Sequence, residues 1–161
     1  MDNNIKLLFL DVDGTLTDGK IYMGDNGEFF KAFDIKDGLG IHELLPKLSI
    51  TPVIITGRRS KILTNRCLEI GINEVHQGVS DKLTCLRDII KKFNYSNNQV
   101  AYMGDDINDL QTMKFIHDSG GINACPSDAV NEIKEISDFI SVKCGGSGAV
   151  RDFIEYLSSI R

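Results

Sequence analysis

No stretch of this chain is apolar for long enough to cross a bilayer, which takes about 20 such residues, so no membrane-embedded role is expected. The start, MDNNIK, lacks the apolar segment and small-residue cleavage site of a secretory leader, and the chain reads as cytoplasmic. Its four cysteines, Cys67, Cys85, Cys125 and Cys144, form no CxxC pair; disulfide staples and a cysteine zinc site are not expected, and reduced, mostly buried thiols are. His42, His76 and His117 stand alone, without metal-ligand spacing. Basic residues are in deficit, 18 Lys and Arg against 23 Asp and Glu, which argues against a nucleic-acid surface. A small anionic substrate stays compatible, because charge at a site outweighs net charge. Gly145-Gly146-Ser147-Gly148 lacks the GKS/T ending of a nucleotide phosphate loop and reads instead as a flexible bend toward a site. Repeats, low-complexity tracts and linkers are absent, so residues 1–161, with 42% hydrophobic residues, read as one domain.

What is present is an alternation of short apolar runs and helical spacing. Ile5–Leu10 reads as a strand covered on both faces. Ile21–Met23 and Glu28–Phe33 flank the turn residues Gly24-Asp25-Asn26-Gly27, a β-hairpin pattern. Further strands are expected at Pro52–Thr56, Glu74–His76, Gln99–Met103, Gly121–Ala124 and Asp138–Val142. Helices are expected over Gly40–Leu48, Ser60–Ile70, Asp81–Phe93, Ile107–Phe115, Ala129–Ile136 and Ala149–Ile160. Strand-then-helix units with short connections predict an α/β fold, a parallel sheet between helices.

Ligands in such sheets bind at the carboxyl ends of the strands. Three strands here end in polar clusters: DVDGT after the first, TGR after Thr56, GDD after Met103. Buried like charges are expensive unless something compensates them. A reaction that would use them is hydrolysis of a phosphate monoester, where a hard cation must neutralise carboxylate and phosphoryl oxygens together. Asp11 is the candidate nucleophile and would form an aspartyl-phosphate. Asp13, two residues on, is the candidate to give the leaving oxygen a proton and later take one from water. Asp105 with Asp11 is the candidate Mg²⁺ site; Thr56 offers a hydroxyl and Lys82 an ammonium to the phosphoryl oxygens. Gly14 and Gly57 allow backbone amides to approach the anion. Asp106 also suits a plain N-cap of the helix starting at Ile107. Asp18, Lys20 and Lys31, near the hairpin, either touch substrate or face water, and Asp37-Gly38 is either a helix start or a substrate contact.

With those residues in order, the chain resembles the haloacid dehalogenase superfamily of phosphohydrolases: DVDGT, Thr56 in VIITGR, Lys82 in GVSDKL, and GDDINDL are similar to its four motifs. TDGKIYMGDNGEFFKAFDIKDGLGI, ITGRRSKILTNRCLEIGI, HQGVSDK and GGSGAVRDFI extend the resemblance to the 3-deoxy-D-manno-octulosonate 8-phosphate (KDO 8-phosphate) phosphatase family over nearly the whole chain. That resemblance implies a Rossmann-like fold with the hairpin inserted after strand one and no separate cap domain. It implies hairpins of four subunits joined in a barrel, hence a homotetramer in which a neighbour helps to close each site; exposed Phe29, Phe30 and Phe33 would form the apolar patch to be covered. It implies Mg²⁺ on Asp11, the backbone carbonyl of Asp13, and Asp105, with Asp109 supporting from outside. Arg58, where relatives acting on nine-carbon sugar acids tend to carry an acid, would hold the substrate carboxylate. Ser60 and Arg66 match the same motif and are, by that resemblance, further candidate substrate contacts. Thr64-Asn65 and Cys67 depart from what many members carry.

The function expected is therefore hydrolysis of a sugar-acid phosphate, KDO 8-phosphate. Alternatives are a nonulosonate (sialic-acid-type) 9-phosphate phosphatase, a non-catalytic tetramerisation module associated with a cytidylyltransferase, and a receiver-like signalling domain. The intact set Asp11, Asp13, Thr56, Lys82 and Asp105 argues against the module, and the acid two residues after Asp11 against the receiver.

Overall fold

In the computed structural model, which describes residues 4–161, the apolar runs form strands β1 (Leu7–Leu10), β4 (Thr51–Thr56), β5 (Glu74–Gln77), β6 (Val100–Met103), β7 (Ile122–Cys125) and β8 (Phe139–Ile140). Residues 1–3, part of the MDNNIK start, lie outside the described residues. The strands make one six-stranded sheet in the order β5-β4-β1-β6-β7-β8, every pairing parallel. Side chains alternate across a strand, and here each face is covered. Leu8, Leu10, Ile54, Ala101 and Met103 join one cluster; Leu7, Phe9, Val53, Ile55, Val100 and Tyr102 join the other. That is why the strands read as continuous apolar runs rather than alternating ones.

Helix α3 (Lys61–Glu69) and α7 (Ala149–Ser159) cover the first face through Leu63, Cys67, Val150, Phe153, Ile154 and Leu157. Helices α4 (Lys82–Phe93), α5 (Ile107–Asp118) and α6 (Asn131–Glu135) cover the second through Leu86, Ile89, Ile90, Met113, Ile116 and Ile133. Burying each large side chain contributes about 1.5–3 kcal/mol. Of the four free cysteines, Cys67 and Cys125 are buried, Cys85 is half-buried and Cys144 exposed.

The segment expected as one helix over Gly40–Leu48 is three pieces: α1 (Ile35–Leu39), a π-helical turn (Gly40–Leu44) and α2 (Leu45–Lys47). It starts early because the Asp34 carboxylate accepts the Lys36 and Asp37 amides at 2.7 and 3.2 Å, an N-cap. Pro46 has no N–H to continue an α-helical ladder, and the turn before it widens, the Leu45 N–H bonding to the Gly40 carbonyl. The last strand is shorter than expected, two residues pairing only with β7 at the sheet edge.

Between β1 and β4 stands the hairpin, β2 (Tyr22–Gly24) and β3 (Gly27–Phe30), a separate two-stranded sheet. Ile21, Met23, Phe29 and Phe30 are exposed on it, Phe29 by 73%. Phe33 departs from the expectation: it is partly buried against the first core cluster, beneath the Arg66 guanidinium at 5.8 Å, and does not extend the exposed patch.

Candidate active site

Each polar cluster follows a central strand, so the sheet itself gathers them. The Asp11 amide donates to the Met103 carbonyl at 3.0 Å, extending the β1–β6 ladder by one residue and setting the side chain at the carboxyl edge. The chain then turns sharply, with the Val12 carbonyl accepting the amides of Leu16 and Thr17 at 2.9 and 3.0 Å. Gly14 sits inside the turn at φ +96°, and a Cβ there would run into the Asp105 carboxylate; only glycine meets both demands. The Gly145–Gly146 backbone packs against Gly14 and Thr17 of this turn, and the Gly146 amide donates to the Thr15 carbonyl at 3.1 Å. The GGSG stretch is thus a backbone brace on the Asp13 loop of its own chain.

Lys82 opens α4 behind the Asp81 N-cap and is buried; its Nζ lies 2.7 Å from Asp11 Oδ1 and 2.7 Å from Asp109 Oδ1. Asp109 is fully buried in the first turn of α5. Its Oδ1 also accepts the Tyr102 hydroxyl at 2.7 Å, and its Oδ2 accepts the Asp105 and Asp106 amides at 3.1 and 3.4 Å. Asp109 thereby fixes the loop that carries Asp105, while Asp106 caps α5 through the Ile107 amide at 2.7 Å. Thr15 Oγ1 donates to Asp105 Oδ1 at 3.3 Å. Thr56, buried at the end of β4, accepts the Arg58 amide on its hydroxyl at 3.4 Å.

One carboxylate oxygen from each of Asp11, Asp105 and Asp109 falls within 4.8 Å of the others. Burial, then the Asp109 charge, raises the Asp11 pKa to about 6 against the Lys82 ammonium; burial, then Asp11 and Asp109, raises Asp105 to about 8. An all-oxygen donor set that repels itself this strongly suits a hard divalent ion such as Mg²⁺. Because both acids titrate higher in the folded state than their ordinary value of 3.8, the native state binds more protons, and metal-free stability falls as pH rises from about 4 to about 8. Mg²⁺ is therefore expected to raise the unfolding temperature more at pH 8 than at pH 5, and Asp105→Asn to abolish most of that rise. Calorimetry showing no Mg²⁺ effect at either pH would count against the site.

The other candidates divide into two groups. Asp13 and Arg58 stand beside the cluster, but the Asp13 carboxylate is turned to Lys31, with Nζ 2.5 Å from Oδ1, and to Arg58 Nε at 4.0 Å. Ser60 N-caps α3 through the Leu63 amide at 3.3 Å and donates its hydroxyl to Glu28 at 2.5 Å; Gly57 is exposed at the strand exit. Arg66 and Asp37 are not brought into this group among the described residues. Arg66 pairs with Glu69 at 2.9 Å over Gly38 and Phe33. Asp37 is buried and accepts the Arg151 amide at 2.8 Å at the start of α7, and burial raises its pKa to about 6. Within α1 it is Asp34, not Asp37, that caps the helix, and the Asp37 carboxylate meets the start of α7 instead.

Two contributors were not singled out from the sequence. Tyr102 sat unremarked in an apolar strand, although a buried phenol needs a polar partner. Glu28 looked like one more hairpin charge.

Residues 47–154 match the family model of the haloacid dehalogenase-like hydrolases. The chain is 42% identical over 154 residues to the KDO 8-phosphate phosphatase of Escherichia coli (strain K12), covering 96% of this chain and 79% of that one. It is 39% identical to the Yersinia pestis enzyme, again over 96% of this chain and 80% of the relative. Among solved structures, the KDO 8-phosphate phosphatase of Moraxella catarrhalis, in complex with magnesium, phosphate and KDO, superposes with a TM-score of 0.91 at 37% identity, covering 99% of this chain and 88% of that one. The cobalt-bound Haemophilus influenzae phosphatase gives 0.91 at 34% identity, over 98% and 90% of the two chains.

Proposed function

Because the chain belongs to the haloacid dehalogenase-like hydrolases, we propose that it is a Mg²⁺-dependent phosphatase that converts KDO 8-phosphate to KDO and phosphate. The observation that carries this is the pairing of Lys82 with both Asp11 and Asp109 beside Asp105, in a chain similar over almost its full length to phosphatases of that substrate. Lys82 engages one oxygen of Asp11, and the other is the nucleophile. It bonds to phosphorus as the bond from phosphorus to the sugar oxygen breaks. Asp13 gives that oxygen a proton, then accepts one from the water that attacks the acyl phosphate, releasing phosphate and restoring Asp11. The Asp11 and Asp105 carboxylates, with the Asp13 backbone carbonyl, would hold Mg²⁺, which supplies charge neutralisation for carboxylate and phosphoryl oxygens. Lys82 and Thr56 would steady the phosphoryl group, with Gly57 allowing a close amide, and Arg58 would take the sugar's carboxylate.

The exposed hairpin residues Ile21, Met23, Phe29 and Phe30 support a homotetramer closed through the hairpins, since a two-stranded sheet alone is marginal. None of the helices in the described residues is long and apolar enough to cross a membrane, and a single cytoplasmic catalytic domain is the simplest setting. The test is phosphate release from a panel of sugar-acid phosphates with Mg²⁺. The highest kcat/KM is expected for KDO 8-phosphate, and a preference for a nonulosonate 9-phosphate would reassign the substrate.

A further inference from the structure

We infer that Lys31, held by Glu28, is a positioning residue that aims the Asp13 carboxylate and so ties the hairpin to proton transfer at the leaving group. The inference rests on the proposed role of Asp13 as acid and base. Lys31 follows β3, and its side chain is 4% exposed. Its Nζ contacts Asp13 Oδ1 at 2.5 Å and Glu28 Oε1 at 2.9 Å. Glu28 is anchored in turn: its Oε2 accepts the Ser60 hydroxyl at 2.5 Å, and Arg58 Nη2 lies 3.6 Å from its Oε1. Ser60 is fixed at both ends, its amide on Gln77 Oε1 at 2.6 Å and its oxygen on the Leu63 amide. A continuous chain of polar contacts thus runs from β5 and the start of α3, through the hairpin, to Asp13.

The arrangement has a physical logic. An ammonium this enclosed is stable only with its counter-charges in place, so Lys31 stays where both carboxylates are. An aspartate three residues beyond the strand end rotates freely about two side-chain bonds unless something holds it. Lys31 takes Oδ1, and Oδ2, with Arg58 Nε at 4.0 Å, is the oxygen that turns to the leaving group. Proton transfer depends steeply on such placement.

The dependence on leaving group reads this out, because a poor leaving group needs the proton and a good one does not. Wild type, Asp13→Asn, Lys31→Met and Glu28→Gln are compared on a simple alkyl phosphate and on p-nitrophenyl phosphate, both with Mg²⁺. Asp13→Asn is expected to lose about 100-fold more kcat on the alkyl ester than on the aryl ester, the lower end of general-acid contributions. Lys31→Met is expected to show the same bias at about tenfold, in kcat rather than KM, and Glu28→Gln the same bias at smaller amplitude. Glu28→Gln keeps the side chain's shape and its contact with Ser60, so its ratio decides the matter if Lys31→Met fails to fold. Equal losses on both esters in the Lys31 and Glu28 variants, with the bias present in Asp13→Asn, would overturn the inference and leave the role of Asp13 standing. No bias in Asp13→Asn would remove that role, and the inference with it.

Discussion

Replacing Asp11 with asparagine is expected to lower kcat for phosphate release by about four orders of magnitude or more, the scale on which loss of a covalent nucleophile is felt. The substitution is nearly isosteric, and the amide oxygen can keep the 2.7 Å contact with Lys82. What it removes is the charged oxygen proposed to attack phosphorus. The fold is expected to gain rather than suffer. Asp11 is buried beside Asp109, and burial and that like charge hold its pKa up near 6, so neutralising it relieves repulsion at neutral pH. The expected pair of results is therefore a dead enzyme with an unfolding temperature at or above wild type when metal is absent. Phosphate release and calorimetry on one preparation check both. A variant that turned over at a tenth of the wild-type rate would remove Asp11 from the chemistry.

Lys82→Met has the opposite signature: activity and stability fall together. The ammonium is 5% exposed and faces two carboxylates at 2.7 Å each. Breaking a buried pair from one side costs about 3–5 kcal/mol, because the charges left behind stay buried. Burial opposes the Lys82 charge, yet Asp11 and Asp109 overcome it and raise its pKa above the ordinary value of 10.5. A lysine raised in this way contributes its stability fully below the unfolded pKa and loses it only as pH passes the higher folded value. Wild-type Lys82 therefore stays charged throughout pH 5–9, in round numbers, while its pairing with Asp11 strengthens as that acid ionises near pH 6. The variant is expected to lose stability progressively across that range as its uncompensated carboxylates ionise, and to lose about 10²–10³ in kcat for want of the cation on the phosphoryl oxygens. Denaturant titrations at pH 5 and pH 8 check this; equal destabilisation at both would mean that packing, not charge, is what Lys82 supplies.

The elements that place the site were legible because they are the apolar ones. β1, β4 and β6 are central, covered on both faces, and each ends where its apolar run meets a carboxylate, a threonine or a glycine. The motif residues Asp11, Lys82 and Asp105 could be picked out one by one. Less legible was what holds them, since it depends on partners far apart in the chain: Lys82 is 71 residues from Asp11, and Lys31 is 18 from Asp13. The motif match points Arg66 toward substrate and Asp37 reads either way, whereas within one chain Asp37 serves the start of α7 and Arg66 pairs with Glu69 over Phe33. No local pattern distinguishes a carboxylate that meets a sugar from one that meets a helix end. The π-helical turn was hidden for a similar reason. Pro46 lies inside the expected helix, and the widened turn before it sits between the Asp34-capped α1 and the buried Leu45.

In the proposed reaction Asp11 itself carries the phosphoryl group from the sugar to water. Acid-quenching the enzyme during steady-state turnover of KDO 8-phosphate with Mg²⁺, followed by peptide mass spectrometry, reads this out. One added phosphoryl group is expected on the peptide containing Asp11, absent from Asp11→Asn. Full turnover with no phosphorylated carboxylate at any time point, or a phosphoryl group on Asp13 or Asp105 instead, would contradict it.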